Sequence, residues 1–222
     1  MGIGLGRLAP PQFLDAQDIL AVIAAVLRIV SDAWDRVVRE GVLEEVHRRD
    51  EPKTVGLLRS RMVAVERERS PRIPALKIKP EVGVTSEDAE TVVGSIDIEI
   101  IYSLGDEPDL RVECKRVSTA KEDNPTALAR YYVEGGVLRF VGKYGRGHAW
   151  GVMVAFALDG NCDASATLIG EYVGAYRNEP VHVVRDWKAD ARFGTPRRLF
   201  SSRHRKSSGG PIELLHIFLP FE

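Results

Sequence analysis

Two acids and a lysine carry the chemistry this sequence offers. Asp97 stands in GSIDIEI, and Glu113 and Lys115 stand in RVECKRV. Side chains alternate across a strand, so Glu113 and Lys115 share one face while Val112, Cys114 and Arg116 take the other. Asp97 and Glu99 likewise share a face of the preceding segment, with isoleucines on the opposite one. If the two strands pair, Asp97 comes close to Glu113, and two carboxylates crowded into a partly buried place repel each other. A hard divalent cation reverses the sign of that cost, because Mg²⁺ takes oxygen ligands. Lys115 would then lie beside the ion, where it can hold a water or help remove its proton. The plainer alternative is a solvated strand face with a cross-strand ion pair.

The elements around these residues are legible from periodicity. VVGSIDIEIIYS (Val92–Ser103) alternates as one strand, LGDEPDL is a turn, and LRVECKRV is the next strand, which makes a hairpin. Upstream, apolar residues recur at helical spacing from Gln12 to Arg39, as one helix or two broken near Ser31, with Gly41 as a stop. A second helix starts at Glu51-Pro52, since proline suits the first turn. ALKIKPEV reads as a strand. Pro125 to about Lys143 reads as a helix closed by Gly145, and Trp150–Leu158 as a strand buried on both faces. A helix over Ala164–Tyr176 and strands at VHVV and ELLHIFLPF follow. SSRHRKSSGGP reads as a flexible loop. This order predicts an α/β fold, a mixed β-sheet flanked by helices. An N-terminal helical segment (1–50) is expected to pack on an α/β domain (51–222).

The net charge is −1, so bulk charge selects no partner. Its distribution is uneven. Glu81–Asp109 holds nine carboxylates and no Lys or Arg, whereas Arg185–Lys206 holds eight bases against two acids. Such a chain can hold a cation in one place and phosphates in another. The two cysteines, Cys114 and Cys162, match no zinc spacing and cannot form a disulfide framework, which favours a reducing, cytoplasmic setting. The apolar run Ile19–Val30 contains Arg28 and is too short for a bilayer, so no membrane association is expected. The opening MGIGLG follows no strand and is a poor dinucleotide fingerprint.

The combination of Asp97, a short turn and then Glu113-Cys114-Lys115 resembles the PD-(D/E)XK nuclease superfamily over about Gly94–Val117. Ile96 stands where that family commonly has proline. The helix and strand order from Glu51 to Leu158 is compatible with the family core, a restriction-endonuclease-like sheet. YYVEGGVLRFVGKYG and the C-terminal segment look like pieces of prokaryotic nuclease-like proteins of mobile-element or phage-defence type. The resemblance implies a Mg²⁺-dependent endonuclease, with Mn²⁺ able to substitute. Asp97, Glu113 and the Cys114 carbonyl would bind the ion, and Lys115 would orient the attacking water. Glu99 would be a second ligand or a supporting acid. Many members add an acid from the helix before the sheet. Here Glu44, Glu45 and Glu51 qualify, and Glu51 is preferred because it opens a helix.

Nucleic acid, DNA in the first place, would be the partner, and a homodimer would supply two sites for two strands. Phosphates need cations. Arg139 and Lys143 are four apart on one helix face, and Arg197, Arg198, Arg203, His204, Arg205 and Lys206 form a basic cluster in the expected loop. Tyr131 and Tyr132 could stack on bases, with core packing the more common fate of a helical aromatic pair. Gly135-Gly136 in mid-helix is costly and would permit close approach to DNA or to the sheet, the sheet being preferred. A non-cleaving nucleic-acid-binding or protein-interaction module with the same fold is the alternative.

Overall fold

The computed structural model describes residues 16–46, 48, 50–69, 76–79, 82–85, 92–102, 109–144, 148–176 and 182–221. Helix α1 (Ala16–Arg39) buries Ile23, Val26, Leu27, Val30, Trp34 and Val37 along one stripe, as a 3.6-residue repeat of apolar positions requires. It is unbroken at Ser31, whose Oγ donates to the Leu27 carbonyl at 2.9 Å. Gly41 follows it with φ 68°, the left-handed conformation that ends helices. Helix α2 (Glu51–Glu68) begins as its sequence suggests: the Asp50 carboxylate accepts from the Lys53 N–H at 3.1 Å and Pro52 fills the first turn.

The strands are β1 (Lys77–Lys79), β2 (Val82–Thr85), β3 (Val92–Ile96), β4 (Ile98–Ile101) and β5 (Asp109–Val117). After them come α3 (Pro125–Tyr132), β6 (Trp150–Ala157), α4 (Cys162–Ala175), β7 (His182–Ala189), β8 (Leu199–Arg205) and β9 (Pro211–Pro220). Seven strands form a mixed sheet in the order β1-β4-β5-β6-β9-β8-β7, and β2 and β3 make a separate antiparallel pair. The central pairs β5–β6 and β6–β9 are parallel, and the outer ones are antiparallel. The fold is therefore α/β, a mixed sheet flanked by helices with an N-terminal helix, as expected.

Each sheet face has its own core. One holds α1 and α2 over Val112, Cys114, Val152, Val154, Phe156, Leu215 and Ile217. The other holds α3 and α4 over Val117, Met153, Ala155, Leu214 and Phe218. Alternation along β5 thus sends Val112 and Cys114 under α1 and α2, and turns Glu113 and Lys115 toward the α3 side with Val117. The N-terminal helix belongs to the first core, and the Trp34 Nε1–H donates to the Pro220 carbonyl at 2.6 Å. Among the described residues no helix is long and apolar enough to cross a membrane. Cys114 and Cys162 are both free thiols.

Three expectations need correction. VVGSIDIEIIYS is not one strand: the chain bends at Asp97, which hands β3 to the small hairpin and β4 to the main sheet. The helix after β5 is not uniform, because α3 continues into π-helical turns at Val133–Val137 and Phe140–Tyr144. The expected stop at Gly145 lies outside the described residues. Finally, most of SSRHRKSSGGP is not a loop. Residues through Arg205 form β8, paired with β7 and β9. Leu199, Ser201, Ser202 and His204 are buried and Arg203 and Arg205 are exposed, so alternate placement reconciles a basic sequence with a strand. Only Lys206–Gly210 turns, with Gly209 and Gly210 at φ 85° and 78°.

Candidate active site

The site is built on an edge left open by β4. The β4–β5 ladder runs from Asp109 to Val112, where Val112 faces Ile98, but β5 continues along β6 to Val117. Backbone groups on the exposed side of that continuation need other partners. The Cys114 N–H donates to Asp97 Oδ2 at 2.7 Å, and the Arg116 N–H donates to Glu51 Oε2 at 3.1 Å. The Cys114 carbonyl accepts from Lys115 Nζ at 2.8 Å. The bend at Asp97 thus has a local reason: a side-chain carboxylate takes the place of a ladder bond. The start of α2 supplies the second cap.

Glu113 and Lys115 occupy the adjoining face, both buried. Lys115 Nζ lies 2.8 Å from Glu113 Oε1 and 3.4 Å from Glu51 Oε1. The Arg139 guanidinium reaches the same Glu113 Oε1 at 2.7 Å. Glu113 Oε2 is buried with no hydrogen-bond partner among the described residues. Lys115 Nζ also stands over the Tyr131 ring, 5.4 Å from its centroid.

A glycine and the π-helical turns bring the helix this close. A Cβ at Gly136 would lie 2.4 Å from Met153 Cε and 3.5 Å from Lys115 Cγ. Gly136 approaches the sheet, as preferred, and a side chain there would require the flexible end of Met153 to move, whereas Gly135 packs against Tyr131. The second turn is tied back to β5, because Arg111 Nη1 donates to the Tyr144 carbonyl at 2.8 Å. Insertions of this kind re-aim side chains, and here Arg139 points onto Glu113.

Burial pushes Asp97 above the usual aspartate range, against the pull of Lys115 and of the Cys114 N–H. Burial, and then the charge of Asp97, pushes Glu113 up to about 7, against Lys115 and Arg139. Burial works to lower Lys115, but Glu113, Glu51 and Asp97 outweigh it and hold the ammonium above the ordinary lysine range. The Glu113–Lys115 pair is unequal for a simple reason. The lysine faces three carboxylates, while the glutamate shares its cations with other acids.

No protein-family model matches the chain, and no curated protein or solved structure is significantly similar to it.

Asp97, Glu113, Lys115 and Glu51 are brought together as expected, and the Cys114 carbonyl lies on the same edge, occupied by Lys115. Glu99 instead pairs with Lys79 across β1 and β4 at 3.4 Å. The side chains of Glu44, Glu45 and Lys143 lie outside the described residues. Arg139, expected to track phosphate, is committed to Glu113. The basic cluster does not form a cationic loop. Arg197 pairs with Asp35, Arg198 pairs with Asp163, and Lys206 donates to the His148 carbonyl. Arg203 and Arg205 are exposed on β8. His204 is fully buried, with Nε2 on Ser202 Oγ at 2.7 Å, so its expected contact with phosphate is excluded by packing.

Arg116 is a site residue that the sequence does not single out, and Tyr131, for which core packing is the expectation, is instead exposed beside Lys115. The spacing Tyr131, Gly135, Arg139 puts an aromatic, a gap and a cation on one helical face. That pattern was the available signal.

A hard divalent cation requires oxygen donors. Asp97, Glu113 and the Cys114 carbonyl supply that chemistry, and the unpartnered Glu113 Oε2 is an oxygen that folding has left unsatisfied. Among the described residues no three His, Cys, Asp or Glu side chains converge closely enough to hold an ion by themselves. A carbonyl would have to complete the set.

Proposed function

We propose that this protein is a metal-dependent nuclease of PD-(D/E)XK type that hydrolyses phosphodiester bonds in nucleic acid, DNA first. The observation that carries the reading is Glu113 Oε2, a buried carboxylate oxygen without a partner among the described residues, beside a partly buried second acid, Asp97. Leaving such a group unsatisfied costs stability, about 1–3 kcal/mol. Active sites are where such costs are retained.

Asp97, Glu113 and the Cys114 carbonyl are the groups that would hold Mg²⁺ or Mn²⁺. When bound, the ion supplies Lewis-acid charge and makes water more acidic. Lys115 Nζ directs its three hydrogens to Glu113, the Cys114 carbonyl and Glu51, and on releasing one of them it would donate to a phosphate oxygen or to the attacking water. Held cationic by its acids, it serves as a donor and not as a proton acceptor. Glu51 steadies that ammonium from the other side and fixes the edge of β5 through the Arg116 N–H. Arg139, with 36% of its side chain exposed, can exchange Glu113 for a phosphate oxygen.

The non-cleaving module remains the second reading, favoured by one observation: Lys115 and Arg139 already neutralise Glu113 Oε1, and Lys115 occupies the Cys114 carbonyl. Two measurements decide between them. Metal-free protein is titrated with Mn²⁺ by calorimetry, and Mg²⁺-dependent cleavage of plasmid and labelled oligonucleotides is followed. On the nuclease reading Asp97→Ala, Glu113→Gln and Lys115→Ala each lower the cleavage rate by about 100-fold or more while the fold persists. Cleavage that survives all three changes removes the nuclease reading. Salt-dependent binding of DNA without any nicking establishes the module instead.

A further inference from the structure

Adjacent tyrosines at the end of α3 have opposite fates. Tyr132 is fully buried and hydrogen-bonded to His216 Nδ1 at 2.9 Å. Tyr131 is 46% exposed, and among the described residues only Leu20 joins it as an exposed large hydrophobic side chain. It stands against Lys115 Nζ, the centre of the acidic cluster. One turn on, a Cβ at Gly135 would lie 2.8, 3.1 and 3.2 Å from Tyr131 Cε2, Cδ2 and Cζ. Any side chain at 135 would push the ring away, so the glycine is what lets it lie on the helix beside the site. One further turn on, Arg139 presents a part-exposed guanidinium. An open aromatic surface, a gap that keeps it flat and a cation two turns away are the parts of a stacking platform with a phosphate contact.

We infer that Tyr131 stacks an unpaired nucleobase beside the Glu113–Lys115 cluster, so that the preferred substrate is single-stranded or locally unpaired nucleic acid. The inference rests on reading that cluster as a phosphodiester-cleaving site. Bases inside a duplex already stack on their neighbours and offer no open face, whereas an unpaired base stacks on an aromatic side chain whatever its identity. The platform therefore selects strand state and not sequence. A base on Tyr131 would set the adjoining phosphate toward the part-exposed Arg139 guanidinium, next to the buried Lys115.

The test uses the full chain without divalent metal, so that binding is read apart from cleavage. A short single-stranded oligodeoxynucleotide carrying 2-aminopurine, the same sequence as RNA, and its DNA duplex are titrated with wild type, Tyr131→Ala and Tyr131→Trp. Single strands are expected to bind more tightly than duplex and to lose 2-aminopurine fluorescence as the base stacks. Tyr131→Ala should weaken single-strand binding by about tenfold and abolish the quenching, and Tyr131→Trp should keep both. The two single-stranded arms show which sugar is preferred. Equal affinity for duplex, quenching unchanged in Tyr131→Ala, or no binding by any strand overturns the platform. Circular dichroism melting confirms that the variants fold. Mg²⁺-dependent cleavage is then measured separately. Tyr131-dependent stacking without cleavage leaves the platform and removes the nuclease, and cleavage indifferent to Tyr131 does the reverse.

Discussion

Replacing Glu113 by glutamine measures what the fold loses by keeping this acid. Burial and the charge of Asp97 raise the Glu113 pKa from 4.5 to about 7. Between those values the folded protein binds the Glu113 proton more tightly than the unfolded chain does. The stability contributed by this group is therefore complete below about pH 4.5 and is lost as the pH rises through about 7. At about 1.4 kcal/mol per pH unit the full interval is worth about 3 kcal/mol. Glutamine has the same shape and does not titrate. Chemical denaturation of both metal-free proteins should show the stability difference, variant minus wild type, growing by about 2–3 kcal/mol from about pH 5 to about pH 8. Asp97, Lys115 and Arg139 surround the group in both proteins. Mg²⁺ added at the higher pH should restore wild-type stability and leave the variant unchanged. A flat difference across the range would refute the reasoning, because it would mean that Lys115 and Arg139 keep Glu113 ionised.

His204 predicts an acid lability farther along the same face of the sheet. Burial lowers its pKa from 6.5 to about 4 and lowers that of His216 in the same direction. Their stabilising neutral forms are present above about pH 6.5 and lost as the pH falls toward 4. Wild type should lose about 3 kcal/mol from His204 alone over that interval, and a denaturation series on His204→Phe should show that loss removed. At Gly136, substitution by alanine should cost about 1–3 kcal/mol through collision with Met153. Met153→Ala should recover part of that loss, and melting temperatures of the two single variants and the double variant that simply add would rule the contact out.

Much of the fold is written locally. The stripe from Ile23 to Val37 and the sequence Asp50-Glu51-Pro52 act within a few residues of themselves, so both helices form where spacing and capping chemistry place them. Basic residues misled at β8, because strand pairing with β7 and β9 is a long-range fact and alternation hides arginines among buried positions. Adjacent Tyr131 and Tyr132 look alike in sequence, and only the direction of the sheet beneath the helix separates them.

The sequence by itself determined which side chains of RVECKRV share a face, because a strand alternates whatever surrounds it. It also determined that Glu51 would open a helix. Only the tertiary structure decided that β4 begins at Ile98, just after the bend at Asp97, and so leaves the Cys114 and Arg116 N–H groups for carboxylates 17 and 65 residues away. It alone turned Arg139 onto Glu113 and left one oxygen of that acid without a partner among the described residues. The physical reason is range. Alternation and capping are satisfied by neighbours in the chain, whereas an open strand edge and a buried charge are satisfied by whatever the packing of distant elements brings near.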